Sequence, residues 1–373
     1  GEFKETAKLW DEAATRLRSP ARQGELAAVY SDLARELEHG EDGGIQRDRK
    51  AALSQAYDLY SRILDLAAPE TVKQAALFSM AENLFTRGLH QEAAAHYARY
   101  LKAEEKTAGD APLLQREVRS EGRLTRARYK RGRSLAFSRK QSQGRRELED
   151  LNADLEVLIT EVAQRANSEK DVAPFASVAE ATEAWTQLRE RRRETLHALP
   201  STYRTGIESE DMLAVASWRS YLEFTAALQD PLETARARLS LGKRLKQAGR
   251  PEEAAAEWRE LIAVLDKDRG QKDQDKVRAQ TLFQLGLLVR SQENYPEARS
   301  LFERYTREHP SGENWSQAQQ LLRECEAEQA ELLASREDHA AARQAWSTFL
   351  QAHPLDPRAP DILLAIGALH DTE

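Results

Sequence analysis

Small and aromatic residues recur at a fixed spacing of 44 positions in the last third of the chain. Three alanines share one position of this pattern, and each is followed four residues later by an aromatic ring: Ala254, Ala298 and Ala342, then Trp258, Phe302 and Trp346. Eight residues beyond the rings stand Asp266, Pro310 and Pro354. A single helical hairpin cannot bury its apolar face alone, so this self-similarity predicts stacked helical hairpins.

The best-preserved unit runs from Leu282 to Pro310 and carries Leu285-Gly286, Val289, Ala298 and Phe302. It resembles the tetratricopeptide repeat, whose pattern is Leu-Gly, an apolar residue, and then Ala, Phe and Pro. Gly286 and Ala298 are small enough for two helices to approach closely, and Pro310 cannot continue a helix. The resemblance implies an all-α fold, a right-handed superhelical solenoid of tetratricopeptide-like antiparallel helix hairpins.

The regularity of the repeat divides the chain into three regions. Residues 1–108 are expected to hold repeats, echoed at Leu77–Tyr100, with a Gly-rich insertion near 39–45. Residues 109–230 fit the repeat less well and form a divergent region of long helices. Residues 231–373 hold the repeats with the 44-residue period and end in Ala359–His370, the first helix of a further unit whose partner helix is missing. We therefore expect a segment of a longer bacterial protein.

The hydrophobic spacing also predicts individual helices and breaks. In the middle region helices are expected at Leu113–Lys140, Glu147–Ala166, Ala176–Leu199 and Asp211–Leu228, with breaks at 142–144, Pro174, Pro200 and Pro231. The period exceeds the 34 residues usual for the family by ten. This surplus predicts first helices lengthened to begin near Asp273 and at Trp315, and an exposed loop at 267–272.

Composition limits the possible classes of function. The 373 residues carry a net charge of −7, which argues against a surface directed generally at nucleic acid. No apolar stretch approaches the 18 or more residues that predict a membrane span. Cys325 is the single cysteine, so an intrachain disulfide is impossible, and its helical spacing favours a small buried core residue. The histidines show no metal-ligand spacing, and no catalytic signature is present. We expect no enzymatic activity, metal or cofactor.

Charge is concentrated in one stretch. Between Arg116 and Arg146 there are 12 basic and 2 acidic residues. Six of the basic residues follow helical 3-4 spacing and would lie on one helix face: Arg116, Arg119, Arg123, Arg126, Lys130 and Arg133. We call these six residues the basic ridge. It could bind an acidic protein or peptide, and nucleic acid or an anionic surface is the less favoured alternative.

The sequence also contains acidic residues that could pair with the basic ridge within the chain. Glu147, Asp150, Asp154 and Glu161 form an acidic stripe at the same helical spacing, just after the expected turn at 142–144. An antiparallel hairpin could set the two stripes against each other. The favoured interpretation is this internal pairing, or faces that are simply solvated.

A second candidate surface comes from the family resemblance. Such repeats usually bind peptides along a groove lined by their first helices. Here the corresponding positions include Leu239, Lys243, Lys246, Phe283, Leu287 and Arg290. Family members that hold the acidic tails of chaperones use a Lys and Asn carboxylate clamp. At the clamp-type positions this chain has Leu239 and Lys243, then Phe283 and Leu287, so a chaperone-tail receptor is not expected. Phe283 and Leu287 could instead pack against neighbouring helices.

The most plausible function is a non-enzymatic protein–protein interaction scaffold. The compartment stays open between the cytoplasm and, if a signal peptide has been removed, the periplasm or envelope, because Gly1-Glu2-Phe3 resembles a cloning remnant. The tail from His353 to Leu364 also resembles repeat regions that precede macroglobulin-type domains in large bacterial envelope proteins. The Cys-Gly-Glu-Gln element of their thioester is absent around Cys325.

Overall fold

A computed structural model describes residues 19–39, 49–168, 171–267 and 270–370, with a few positions between 9 and 17. The Gly-rich insertion near 39–45 lies almost entirely outside the described residues, as do positions 268 and 269 of the predicted loop. The described chain contains helices and no strand. It forms two compact units, residues 1–204 and 205–373. The division into residues 1–108, 109–230 and 231–373 rests on how regular the repeat is in each region, and it stays a prediction.

Unit 1 contains eight α-helices and one 3₁₀ turn among its described residues. In chain order they are α1 Pro20–His39, α2 Arg49–Asp65, α3 Glu70–Thr86, α4 His90–Ala108, α5 Leu113–Arg119, α6 Arg123–Phe137, α7 Gln141–Ala166, α8 Val178–Ala198 and the turn Leu199–Thr202. Helices α1 and α2, α3 and α4, and α6 and α7 pack as hairpins, and α8 packs on α7. The predictions of helices ending near Ala166 and Leu199 are confirmed.

The described residues of unit 2 form eight further helices. They are α9 Glu208–Ala227, α10 Pro231–Gln247, α11 Pro251–Leu265, α12 Lys272–Ser291, α13 Tyr295–Glu308, α14 Trp315–Ser335, α15 His339–Ala352 and α16 Ala359–His370. Successive helices pack against each other, and α10 also touches α12. The lengthened first helices are confirmed, because α12 begins at Lys272 and α14 at Trp315. The fold is an all-α array of tetratricopeptide-like antiparallel hairpins.

Six hairpin turns are closed in the same way. One residue with a left-handed backbone follows the first helix: Gly88, Arg139, Gln229, Gly249, Glu293 and Glu337, all with φ between 55° and 74°. The next residue donates its N–H to a carbonyl five positions back, as Arg250 does to Leu245 and Asn294 to Val289. This arrangement satisfies carbonyls that a helix end would leave unpaired. The turn residues Gly249, Glu293 and Glu337 repeat the 44-residue spacing of the sequence.

Helix pairs approach most closely where a glycine faces a ring or another backbone. A β-carbon on Gly286 would lie 2.7 Å from Phe302, and one on Gly144 would lie 2.4 Å from the carbonyl oxygen of Gly132. The latter contact corrects the turn expected at 142–144. These residues form the first turn of α7, and Gly144 serves as a helix-packing position, so the chain turns earlier, at 138–140.

Ion pairs link successive hairpins of unit 2 at a constant separation. Arg259 binds Glu297, Arg304 binds Asp266 and Arg290 binds Glu328, each pair 38 residues apart. The aromatic residues that defined the repeat pack within the hairpins, since Trp258 and Phe302 are fully buried and lie against Gly242 and Gly286 of the facing helices. Apolar packing forms the interior, and charge pairs join the hairpins at its edge.

Candidate binding face on α3 and α6

The basic ridge does not lie on one helix. A helix over Leu113–Lys140 was predicted, but the chain breaks between Arg119 and Arg123, where Glu121 and Gly122 have φ of 53° and 76°. L-residues rarely adopt this conformation within a helix, and Gly122 adopts it without steric cost. The prediction of one continuous stripe is therefore wrong. Arg116 and Arg119 lie on α5, and the other four ridge residues lie on α6.

The α5 end of the ridge is partly neutralised. Arg116 donates two hydrogen bonds to Glu104 of α4, at 2.6 and 3.3 Å, and this bonding raises the pKa of Arg116. Arg123 lies 3.5 Å from the carboxylate of Glu121. Arg119 is exposed and forms no ion pair with any residue that the structure describes. These three arginines surround a shallow cavity of about 180 Å³ together with Tyr100.

Two ridge residues of α6 share a carboxylate on α3. Lys130 donates to Glu82 at 2.6 Å, and Arg126 binds the same oxygen. Tyr97 donates its hydroxyl to the other oxygen of Glu82, also at 2.6 Å. Burial alone would raise the pKa of Glu82, but the charges and hydrogen bonds of these partners outweigh it and hold the pKa below its ordinary value. Glu82 is thus an ionised link between α3 and α6.

The acidic stripe of α7 pairs with different arginines from those expected. Glu147 accepts a hydrogen bond from Arg131 at 2.7 Å and lies 3.7 Å from Arg128, which also binds Asp154. An antiparallel α6–α7 hairpin therefore does oppose basic and acidic side chains. However, Arg128 and Arg131 belong to the other side of α6, so the α7 pairing leaves the ridge residues of α6 to face α3.

The C-terminal end of α6 gathers cations and aromatic rings. The Arg133 guanidinium lies 5.0 Å from the ring centre of Phe137 and 5.8 Å from that of Tyr129, distances suited to cation–π attraction. Lys130 lies 4.9 Å from the ring centre of Phe85, and the His90 ring lies 4.7 Å from that of Phe137. Phe137 nevertheless keeps 53% of its surface exposed. Within the described parts of the chain, no carboxylate lies within ion-pair distance of Arg133.

We call Glu82, Arg126, Lys130, Arg133 and Phe137 the α3–α6 face. Sequence reasoning found its three cations and missed its other two members. Glu82 gave no local signal, because it lies 44 residues before Arg126 and meets it only through packing. Phe137 could have been found, since it follows Arg133 by four residues, one helical turn.

The candidate positions of unit 2 have mixed environments. Leu239 and Phe283 are core residues with 4% exposure, and Phe283 packs on the rings of Phe302 and Tyr305. They are not available to a partner, which corrects their assignment to an open groove. Leu287 is half-buried against the same core. Arg290 binds Glu324 and Glu328, and the hydrogen bond to Glu328 raises its pKa.

The two lysines among the candidate positions of unit 2 remain accessible. Lys243 and Lys246 are both exposed on α10, and neither has an ion-pair partner among the residues with described positions. Lys246 lies in the last turn of the helix, where a positive charge is favourable because it faces the negative end of the helix dipole.

Across the described segments, no three or more His, Cys, Asp or Glu side chains are grouped so that they could hold a metal ion. Cys325 is buried, and burial raises its pKa to about 11, so it is an unreactive core thiol. None of the helices in the described parts is both long and apolar enough to cross a bilayer.

Comparisons with known proteins give only distant structural likeness. No protein-family model matches the chain, and no curated protein matches it. The apo form of RapI is 10% identical, with a TM-score of 0.48 over 100% of this chain and 98% of its own. NprR in complex with its cognate peptide NprX is 12% identical, with a TM-score of 0.35 over 92% and 82%. A Rap protein complexed with competence and sporulation factor is 12% identical, with a TM-score of 0.33 over 95% and 99%.

Proposed function

We propose that this chain is a non-enzymatic protein–protein interaction scaffold that binds an acidic peptide segment on the α3–α6 face. The observation that carries the proposal is Arg133, a cation without a carboxylate partner in the described structure, beside the half-exposed ring of Phe137. A guanidinium suits a carboxylate ligand, and an exposed ring suits an apolar side chain next to it.

The charge balance of the face supports an anionic partner. Arg126, Lys130 and Arg133 supply three positive charges, and among the described residues Glu82 supplies the one negative charge that contacts them. Arg126 keeps 46% of its side chain exposed, so it can turn to a ligand while Lys130 holds Glu82. A carboxylate of the partner would neutralise part of this excess positive charge. Charges at the edge of an interface set the association rate and specificity more than the affinity.

The length of the face defines the partner segment. From Arg126 to Phe137 the helix rises about 16 Å. About five residues of an extended peptide cover this distance. A suitable ligand therefore carries carboxylates at one end and an aromatic or large aliphatic residue about five positions away.

A peptide fits better than a nucleic acid for two reasons. The basic ridge is split by the break at 120–122, and both halves are partly neutralised by Glu104 and Glu82. A phosphate backbone would need several uncompensated cations in a row, since each neutralised phosphate contributes through counterion release. The bacterial origin, the compartment and the likeness to envelope proteins with macroglobulin-type domains stay predictions.

The test measures how tightly the full chain binds a labelled acidic decapeptide that contains one phenylalanine. Fluorescence anisotropy of the labelled peptide reports the binding. Arg133→Ala and Phe137→Ala should each weaken binding about tenfold, as expected for anchor residues that contribute roughly 1–2 kcal/mol. Raising the salt concentration should weaken the charged contribution and leave the phenylalanine contribution in place.

Arg119→Ala is the matched control, because it removes an exposed arginine from the other half of the ridge. It should change the affinity less than twofold. Equal losses for Arg119→Ala and Arg133→Ala would show non-specific charge attraction and would contradict the proposal. A single-stranded DNA or RNA that binds more tightly than the peptide, with a steep salt dependence, would favour nucleic acid instead.

A further inference from the structure

Unit 1 contains a cavity of about 280 Å³ that lies apart from the α3–α6 face. It is bounded by α5, α6, α8 and Phe175, and its walls include Glu117, Gly122, Thr125, Gln187 and Arg191. Its volume is near the lower end of the range for small-molecule sites, about 300–1,000 Å³. Phe175, which is 6% exposed, and the side chains of Leu114 and Leu188 supply apolar surface.

The wall of the cavity carries a buried carboxylate without a counter-ion. Glu117 is 6% exposed, and no cation lies within ion-pair distance of it in the described structure. Its two oxygens accept hydrogen bonds from the backbone N–H of Thr125 at 3.0 Å and from the hydroxyl of Thr125 at 2.7 Å. Burial raises the pKa of Glu117, although these hydrogen bonds and the more distant Arg191 and Arg128 oppose the shift.

Glu117 also has a structural role, which explains its position. Thr125 lies in the first turn of α6, where backbone N–H groups lack helical partners, so Glu117 caps this helix. This role uses one hydrogen bond on each oxygen. A carboxylate can accept about four hydrogen bonds in total, so half of its capacity is left for another donor.

A second oxygen faces the same space. A β-carbon on Gly122 would lie 3.9 Å from Glu117 Oε1 and 3.8 Å from Gln187 Oε1. Gly122 has no side chain, and its φ of 76° favours glycine, so the space between the two oxygens is left open. Two acceptors on either side of one opening suit a ligand that donates more than one hydrogen bond.

The remaining charges make the cavity negative. Glu121, Glu180 and Glu183 line it together with Glu117, and Arg191 is the only cation among its lining residues. Arg191 is itself engaged, because it binds Glu194 and lies 5.4 Å from the ring centre of Tyr129. A positive ligand would therefore stabilise the ionised form of Glu117, which burial disfavours in the free protein, and its attraction to a buried carboxylate is stronger than to an exposed one.

We propose that this cavity is a binding site for an organic cation, a guanidinium or ammonium group on a short apolar stem. The cationic head would lie between Glu117 and Gln187, and the stem would contact Phe175 and Leu188. Such a group is supplied either by a small free molecule or by an arginine or lysine side chain of a polypeptide. This inference is independent of the function proposed for the α3–α6 face.

The decisive experiment compares butylguanidinium with its neutral analogue butylurea by calorimetry on the full chain. The two molecules have nearly the same shape and differ in charge. Butylguanidinium should bind at least about tenfold more tightly, because both molecules donate N–H groups but only the charged one forms a charge-assisted pair with the carboxylate. Equal affinity of the two molecules, or no binding of butylguanidinium, would overturn the proposal.

Variants locate the site. Glu117→Gln should weaken butylguanidinium binding at least about tenfold, and Glu183→Gln, the same change at an exposed lining position, should alter it less than about threefold. Ala184→Phe should block the cavity without touching the carboxylate. It keeps the test valid if Glu117→Gln loses its α6 cap and fails to fold. Retained binding in both Glu117→Gln and Ala184→Phe would place the cation elsewhere.

A capped Gly-Arg-Gly peptide separates the two sources of the ligand. If the peptide binds at least as tightly as butylguanidinium, and Glu117→Gln abolishes both, the site takes a side chain of a polypeptide. If butylguanidinium alone binds, the site takes a small free cation.

Discussion

Trp258 lies directly against Gly242, so that a β-carbon on the glycine would be 2.2 Å from the indole Nε1. The same indole donates a hydrogen bond to the carbonyl oxygen of Leu239 at 3.2 Å, one turn earlier on α10. The absence of a side chain at Gly242 thus permits both the close approach of α10 and α11 and the burial of a polar indole. The same positions recur 44 residues later as Gly286 and Phe302.

Gly242→Ala should destabilise unit 2 by about 2 kcal/mol, because the added methyl group forces Trp258 out of its position. The measurement is hydrogen–deuterium exchange of the amides in α10 and α11, which should become faster. Gly367→Ala is the control, since nothing lies within 4 Å of the site where its β-carbon would be placed. That change should stabilise α16 by up to about 1 kcal/mol. Unchanged exchange rates in Gly242→Ala would contradict this prediction, because they would show that α10 and α11 can move apart to fit the methyl group without a loss of stability.

Trp258→Phe should cost about 1 kcal/mol more than Trp346→Phe. Both tryptophans are buried at equivalent repeat positions, but Trp346 Nε1 has no hydrogen-bond partner in the described structure. In the repeat that contains Trp346, Ala330 occupies the position equivalent to Gly242. Losing Trp258 removes a hydrogen bond, whereas losing Trp346 removes a buried donor that already lacks an acceptor. Urea unfolding of the two variants, followed by circular dichroism, provides the comparison. A larger loss for Trp346→Phe would contradict it.

The ionised Glu82 should stabilise unit 1, and this contribution should be lost when the solution is acidified. Its folded pKa lies below the ordinary value of 4.5. The stabilisation is therefore fully present above the pKa of the unfolded chain, and it is lost as the pH falls through the folded value. Wild type should be more stable than Glu82→Gln at pH 7, and the difference should shrink below about pH 4. Urea unfolding of both proteins at several pH values measures this. A difference that grows on acidification would show that burial dominates at Glu82.

Arg278 should contribute far more to stability than an exposed arginine. It is 6% exposed, and its guanidinium lies 2.9 Å from Glu308, 3.1 Å from Asp275 and 3.5 Å from Asp266. Arg278→Met leaves these carboxylates without their shared cation and should cost about 3 kcal/mol. Arg259→Met, which removes a half-exposed partner of Glu297, should cost about 1 kcal/mol or less. Thermal unfolding of the two variants distinguishes them, and equal losses would contradict the burial argument.

Local pattern was sufficient for most of the fold. The 44-residue period, with small residues facing rings, predicted the hairpins of unit 2 and the starts of α12 and α14, because helical periodicity and close packing act over a few turns. The same reasoning failed at 120–122 and at Gly144. A run with helical spacing does not reveal that Gly122 adopts a left-handed backbone. A glycine near an expected turn also resembles one that packs against another helix.

The candidate sites depended far more on packing than on pattern. Spacing alone placed Arg126, Lys130 and Arg133 on one face of a helix, and this placement is retained within α6. Whether those charges are neutralised depends on residues distant in the chain, such as Glu82, and the burial of Leu239 and Phe283 depends on the neighbouring hairpins. The cavity beside Glu117 exists only where α5, α6 and α8 meet. Helical periodicity is a local property of the backbone and can be read from the chain, whereas burial and ion pairing arise between helices, and only the tertiary arrangement determines them.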